Sequence, residues 1–184
     1  MALVAFQFSN AQESSSIISS KKNEVKFDVL SAIAFGKYHI SYERFLNTDF
    51  SVGISGGIQD SQNQKDDFYN GFERSLPKYE VNPFVRYALS KSPKNFYFVE
   101  AFLSVNGGKY REIARFEDES GNGYYNAKEE NYTDLAIGGA FGYKLYIQEK
   151  FGLELLVGAG KNLFNTDKSP EVIPHVGLNF GYRF

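Results

Sequence analysis

Residues 175–184 read HVGLNFGYRF, with Val176, Leu178, Phe180, Tyr182 and Phe184 in one row and His175, Gly177, Asn179, Gly181 and Arg183 in the other. A β-strand points successive side chains to opposite faces, so strict alternation marks a strand that separates two different environments. One row is wholly apolar, and the other is small or polar.

The same period recurs upstream in seven further segments of about ten residues, bounded by turn chemistry. The seventh sets Phe151, Leu153, Leu155 and Val157 against Gly152, Glu154, Leu156 and Gly158. The sixth sets Leu135, Ile137, Phe141 and Tyr143 against Asp134, Ala136, Gly138 and Lys144, and the fifth Tyr97, Val99 and Leu103 against Phe98, Glu100 and Phe102. The fourth places Tyr79, Val81, Val85 and Tyr87 opposite Glu80, Asn82, Phe84 and Arg86; Pro83 inside it predicts a lost ladder bond or a bulge. The third sets Phe50, Val52, Ile54 and Ile58 against Ser51, Gly53, Ser55 and Gly57, and the second Tyr38, Ile40 and Tyr42 against His39, Ser41 and Glu43. The first is read as a strand from Val25 through Phe27, Val29 and Ile33 to Phe35, with Lys26 and Asp28 on its other face and Gly36 turning the chain. The expected fold class is all-β, an eight-stranded antiparallel up-and-down barrel.

Composition agrees with this reading. The 184 residues suit one domain, and 13 Tyr, 18 Phe and 17 Gly without Trp favour twisted strands. A net charge of -2 supplies no basic surface for nucleic acid, and the absence of Cys excludes disulfides and thiolate metal sites. No run of about 18 apolar residues exists for a transmembrane helix, a test that a membrane barrel escapes because its two rows average out. Residues 1–12, MALVAFQFSNAQ, read as the remnant of a secretory signal with Ala11 as a small cleavage-site residue, although no basic region precedes it; an ordinary disordered N-terminus is the alternative. Residues 1–23 as a whole form this remnant plus a Ser-rich lead-in, and residues 24–184 the barrel.

Alternation alone leaves open which row faces inward, since a soluble barrel binding a small apolar ligand would bury the apolar row. Three features favour lipid outside. The opposite row is rich in Gly, Ala and Ser, which suits a crowded lumen; eight strands enclose too little space for so many large apolar groups; and aromatics such as Tyr38, Phe50, Tyr79, Tyr97 and Tyr143 fall near segment ends, where interfacial girdles sit. Connection lengths also alternate. Those at 47–49, 90–95 and 148–150 are short, while 60–77, 107–131 and 162–172 are long, the asymmetry of periplasmic turns and extracellular loops.

The segment HVGLNFGYRF, with Phe180, Tyr182 and the terminal Phe184, resembles the assembly signal of bacterial outer-membrane proteins, with Asn179 standing where that signal often carries Gly. Residues 24–184 resemble the small OmpA/OmpX-type barrels, and through KFDVLS (26–31) and ISYERFL (40–46) a group of outer-membrane barrels for which the likeness implies a location and no activity. The resemblance implies contact with outer-membrane lipid and, through the C-terminal strand, with the barrel-assembly machinery.

Parity sends Asp28, Glu43, Arg86, Glu100, Lys144, Glu154 and Arg183 into the lumen. Charges in a narrow lumen are stable only when paired and hydrogen-bonded, so these predict a salt-bridge plug, with a gated pore as the alternative. His39 and His175 share the inner row near its outer end with Glu80 and Asp134, a conceivable metal site but one without HxxH spacing. A lipid-modifying barrel enzyme, an acyltransferase or deacylase, needs Ser and His open to the bilayer; parity turns both histidines inward, and no Ser-His-acid constellation is visible. No catalytic residue, metal or cofactor is therefore assigned. Phe68, Tyr69, Phe72, Tyr124 and Tyr125 in the long outer connections are candidate anchors for a protein or glycan partner, or else the aromatics of a solvated hairpin.

Overall fold

The computed structural model describes residues 21–184 apart from 91, 93 and 118, so the proposed signal remnant at 1–12 lies outside the described residues. Eight antiparallel strands form a closed up-and-down barrel: β1 (Asn23–Asp28), β2 (Lys37–Phe45), β3 (Phe50–Gln59), β4 (Ser75–Ala88), β5 (Asn95–Glu117), β6 (Gly123–Ile147), β7 (Phe151–Asn162) and β8 (Val172–Arg183). β8 closes the wall on β1, with Asn23 N donating to Phe184 O at 3.1 Å and Phe184 N to Asn23 O at 2.8 Å. No helix among the described residues is long and apolar enough to cross a membrane.

The first segment departs from expectation. Its alternation stops at Asp28, and residues 29–35 form helix α1 (Val29–Phe35). Asp28 caps it by accepting from Ser31 N, and Gly36, at φ 59°, ends it by donating its N–H to Ser31 O, a left-handed conformation that Gly adopts without steric cost. Val29 and Ile33 satisfy a helical i, i+4 spacing as well as a strand period, and the caps decide between the two.

β4 runs unbroken through Pro83. Its bridges to β5 skip Asn82 and Pro83 without a change of register, and the register shift falls earlier, between Pro77 and Tyr79. Residues 107–131, expected as a polar insertion, are drawn into β5 and β6, which pair from Asn95↔Leu145 to Glu117↔Gly123 and carry a two-stranded hairpin beyond the bridges to β4 and β7. On the opposite side the turns are tight: in the three-residue connection 148–150, Gln148 and Glu149 both adopt positive φ, which suits the right-handed twist of the strands it joins. Asn47 Oδ1 accepts from Asp49 N and Phe50 N at 2.8 and 2.7 Å.

The apolar rows face outward on every strand, and the opposite rows are buried. Small residues in the buried row have a specific purpose: Phe84, Phe98 and Phe102 lie across from Gly53, Gly142 and Gly138 on neighbouring strands. A Cβ on Gly142 would sit 2.2 Å from the Phe98 ring, and one on Gly138 2.3 Å from Phe102. The lumen is filled by rings laid over bare backbone.

Candidate functional site

The lumen is built in three layers. At the end that carries the tight turns, Phe45, Phe96, Phe98, Tyr146 and Leu156 form an apolar floor. Arg183 is fully buried there, its guanidinium stacked 4.5 Å from the Phe45 ring and 4.8 Å from Tyr146 while its Nε donates to Lys21 O at 2.8 Å.

Above the floor lies a continuous ion-pair layer. Lys144 Nζ reaches Glu43 at 2.7 Å and Glu24 and Glu154 at 3.0 Å each. Lys26 Nζ reaches Glu43 at 2.7 Å and Glu154 at 3.0 Å. Arg86 bridges Glu43 at 2.9 Å, Glu154 at 2.7 Å and Glu100 at 2.5 Å, and lies over the Phe84 and Phe98 rings. Ser51 donates to the second oxygen of Glu43, Asn179 joins Arg86 on Glu154 Oε1, and Tyr146 donates to the same Glu24 Oε2 that Lys144 holds. Four carboxylates (Glu24, Glu43, Glu100, Glu154) thus share the interior with four cations (Lys26, Arg86, Lys144, Arg183).

Of the seven lumen charges expected from parity, five join this network: Glu43, Arg86, Glu100, Lys144 and Glu154. Arg183 sits below it, against the aromatic floor. Asp28 serves α1 instead, accepting from Ser31 N, Ser31 Oγ and Leu178 N, because its strand ends there and the first helical turn presents unsatisfied N–H groups. Glu24 and Lys26 belong to the network and were missed, although their parity with Asp28 already pointed them inward.

The third layer is a small polar cavity lined by Lys37, His39, Glu80, Glu100 and His175 together with Asp28 and Ser31. A second small cavity shares Lys37 and Glu80 with it and reaches Tyr79, Asn106 and Tyr132. His175 Nε2 lies 2.9 Å from Glu100 Oε1, and its ring packs 4.4 Å from Phe102. His39 Nε2 lies 3.2 Å from Glu80 Oε1, off the line of a good hydrogen bond, while Lys37 holds Glu80 Oε2 at 2.8 Å. Each imidazole is turned to its own glutamate, and no cluster suited to a metal occurs among the described residues. Asp134, expected beside the histidines, instead pins the β7–β8 connection by accepting from Phe164 N, Asn165 N and Ser169 Oγ at 3.0, 2.9 and 2.6 Å.

Outside the barrel, helix α2 (Gln62–Tyr69) and the chain after it pack on the hairpin: Arg111 donates to Phe68 O and Tyr69 O at 3.0 and 2.6 Å. This packing leaves Phe68 0% exposed, so it is structural and unavailable as a contact anchor. Tyr69, Phe72, Tyr124 and Tyr125 are exposed as expected, and Ile113, at 77%, joins Tyr125, at 75%, on one face of the hairpin. The hairpin is tied to the β7–β8 connection through Glu130, which holds Lys128 and Lys168 at 2.6 and 2.7 Å. Hydrogen bonds from those two lysines hold its carboxyl down at about 2.

The N-terminal β-barrel domain of Pseudomonas aeruginosa OprF superimposes on this chain with a TM-score of 0.58, at 15% identity, covering 89% of this chain and 98% of that one. The chain has the fold of the small eight-stranded outer-membrane barrels. Weaker likenesses are to Neisserial surface protein A (TM-score 0.49, 12% identity, 88% of this chain and 93% of that one) and to Ail, the attachment invasion locus protein of Yersinia pestis (0.48, 11%, 89% and 99%). No family model matches the chain, and no curated protein sequence does.

Proposed function

We propose that the protein resides in a bacterial outer membrane as a non-enzymatic barrel, with its lumen closed by the ion-pair layer and its binding role carried by the outer hairpin and loops. The observation that carries this reading is the inversion of the barrel: apolar rows cover the outside, while Lys26, Glu43, Arg86, Lys144 and Glu154 are buried inside and mutually paired. Water would solvate the opposite arrangement, whereas an apolar exterior about 25 Å tall matches a bilayer core. Phe180, Tyr182 and Phe184 remain exposed on the closing strand, in keeping with recognition by assembly machinery. Tyr69 at the end of α2 and Phe72 just after it, with Ile113, Tyr124 and Tyr125 on the β5–β6 hairpin, are amphipathic or apolar groups exposed to solvent and suited to a protein or glycan partner.

Three measurements test the reading. The folded chain should migrate differently on gels before and after boiling and should extract only with detergent. In a planar bilayer it should show no steady conductance, and large, stable steps would refute the closed lumen.

A further inference from the structure

The barrel wall is not a complete sheet. β1 pairs with β8 only from Glu24↔Arg183 to Asp28↔Asn179, whereas β8 continues along β7 as far as Lys161↔Val172. Six residues at about 3.3 Å each, tilted by about 40°, rise about 15 Å, so β1 ends near the middle of an apolar band about 25 Å tall. Above that point α1 stands in the wall in place of a strand. An unpaired strand edge inside a bilayer is otherwise avoided, because nothing there satisfies its N–H and C=O groups.

This edge is adapted to the gap. Phe184 N and Leu178 N both point to the β1 side, and since alternate residues of a strand direct their backbone groups the same way, Val176 and Pro174 face the gap too. Pro174 has no N–H to leave unsatisfied. Asp28 Oδ1 takes Leu178 N at 3.1 Å, and Ser31 Oγ reaches Val176 O at 3.4 Å. The outer face of α1 carries Leu30, Ile33 and Phe35, with Ile33 82% exposed. Directly behind α1 lies the small polar cavity, whose lining includes Ser31 from the helix and His175, Val176 and Gly177 from β8.

Charge in the cavity is uneven in what it offers a ligand. Glu80 is held by Lys37, His39 and Asn82, Glu100 by Arg86 and His175, and Asp28 by Ser31 and Leu178. The acceptors are taken. Lys37 has three N–H donors against one carboxylate among the described residues, and each imidazole has a second ring nitrogen. An anionic head group would complete this set.

We propose that the seam between α1 and β8 is a lateral entrance through which a lipid bearing a phosphate or carboxylate head places that head beside Lys37, His39 and His175, its chain remaining in the bilayer. The cavity is blind toward the aromatic floor because Arg86 and the ion-pair layer close it, so the site holds an amphiphile without conducting it. The proposal rests on the membrane reading, and gel migration of the folded band reports that reading separately.

The chain has two histidines and no Trp, which provides two clean probes. With the protein in dodecyl maltoside micelles and its histidines isotopically labelled, dodecyl phosphate should shift both imidazole signals saturably. Inorganic phosphate at the same concentration should shift neither. Lys37→Met should raise the half-saturating concentration at least tenfold, and Ile33→Trp in vesicles should be quenched by lipids brominated on their chains. No shift with dodecyl phosphate, an equal shift with inorganic phosphate, or an unaltered response in Lys37→Met would overturn the site. An unquenched Trp at position 33 in a folded barrel would overturn the entrance; should Lys37→Met fail to fold, the two phosphate titrations of the parent protein decide.

Discussion

Replacing Lys144 with Met isolates what holds the lumen together. Lys144 is fully buried and serves three carboxylates, at 2.7 Å from Glu43 and 3.0 Å from Glu24 and Glu154. After its loss, Glu43 and Glu154 keep Lys26 and Arg86. Glu24 makes no other ion pair among the described residues; it keeps the Tyr146 hydroxyl, at 2.8 Å, and has Arg183 as its cross-strand neighbour. Removing one partner of a buried ion pair costs about 3–5 kcal/mol, because the charge left behind stays desolvated. With a urea m-value of about 2 kcal/mol/M, the unfolding midpoint of the barrel refolded in lipid vesicles should fall by about 1.5–2.5 M. The loss should reside mainly in Glu24, so adding Glu24→Gln to Lys144→Met should restore about 1–3 kcal/mol, a coupling of the size expected for residues in one network. A Lys144→Met midpoint within about 0.5 M of the parent, equal to about 1 kcal/mol, would refute the claim that the layer is a tightly coupled unit. A double variant no more stable than Lys144→Met would refute the role given to Glu24.

Gly142→Val should destabilise by about 1–3 kcal/mol through overpacking, since its Cβ would meet the Phe98 ring at 2.2 Å; combining it with Phe98→Ala should relieve the clash, read by the same urea titration. Asp134→Ala should free the β7–β8 connection, and amide exchange at Phe164 and Asn165 should quicken by about tenfold or more, in line with about 1.5–3 kcal/mol for a hydrogen bond to a charged group. Glu130 is solvent-accessible, and its ties to Lys128 and Lys168 hold it low in the folded state. Its contribution is therefore present above the ordinary carboxylate range and is lost as pH falls from about 4.5 to about 2, so exchange in the β7–β8 connection should rise over that window, and Glu130→Gln should reduce the pH dependence to the part contributed by Asp134, the other carboxylate that pins this connection. Exposed Ile113 and Tyr125 make a further pair: Ile113→Ser with Tyr125→Ser should weaken binding of the proposed protein or glycan partner in a pull-down while the gel migration of the folded band stays unchanged.

The strand pattern was legible because alternation is a local property, and each strand reports its two environments through its own side chains. Tyr79 to Tyr87, Phe151 to Val157 and Val176 to Phe184 each showed an apolar and a small or polar row without reference to any neighbour, while which row faces inward took features of the whole chain. The break after Asp28 was legible in principle, since Asp28 before Ser31 and Gly36 after Phe35 are helix caps, but Val29 and Ile33 fit both periods and only the packed wall separates them. Which charges meet was beyond the sequence. Lys26 lies 128 positions from Glu154, and Arg86 and His175 join through Glu100 only because the strand stagger brings those heights together across the lumen. The burial of Phe68 likewise depends on Arg111, a residue 43 positions away that draws its carbonyl onto the hairpin. Local periodicity thus carried seven strands, the start of the first and most of the inward row of charges; the partners of those charges and the gap in the wall beside β8 came only with the packed barrel, because both follow from the register of distant strands, which no local period encodes.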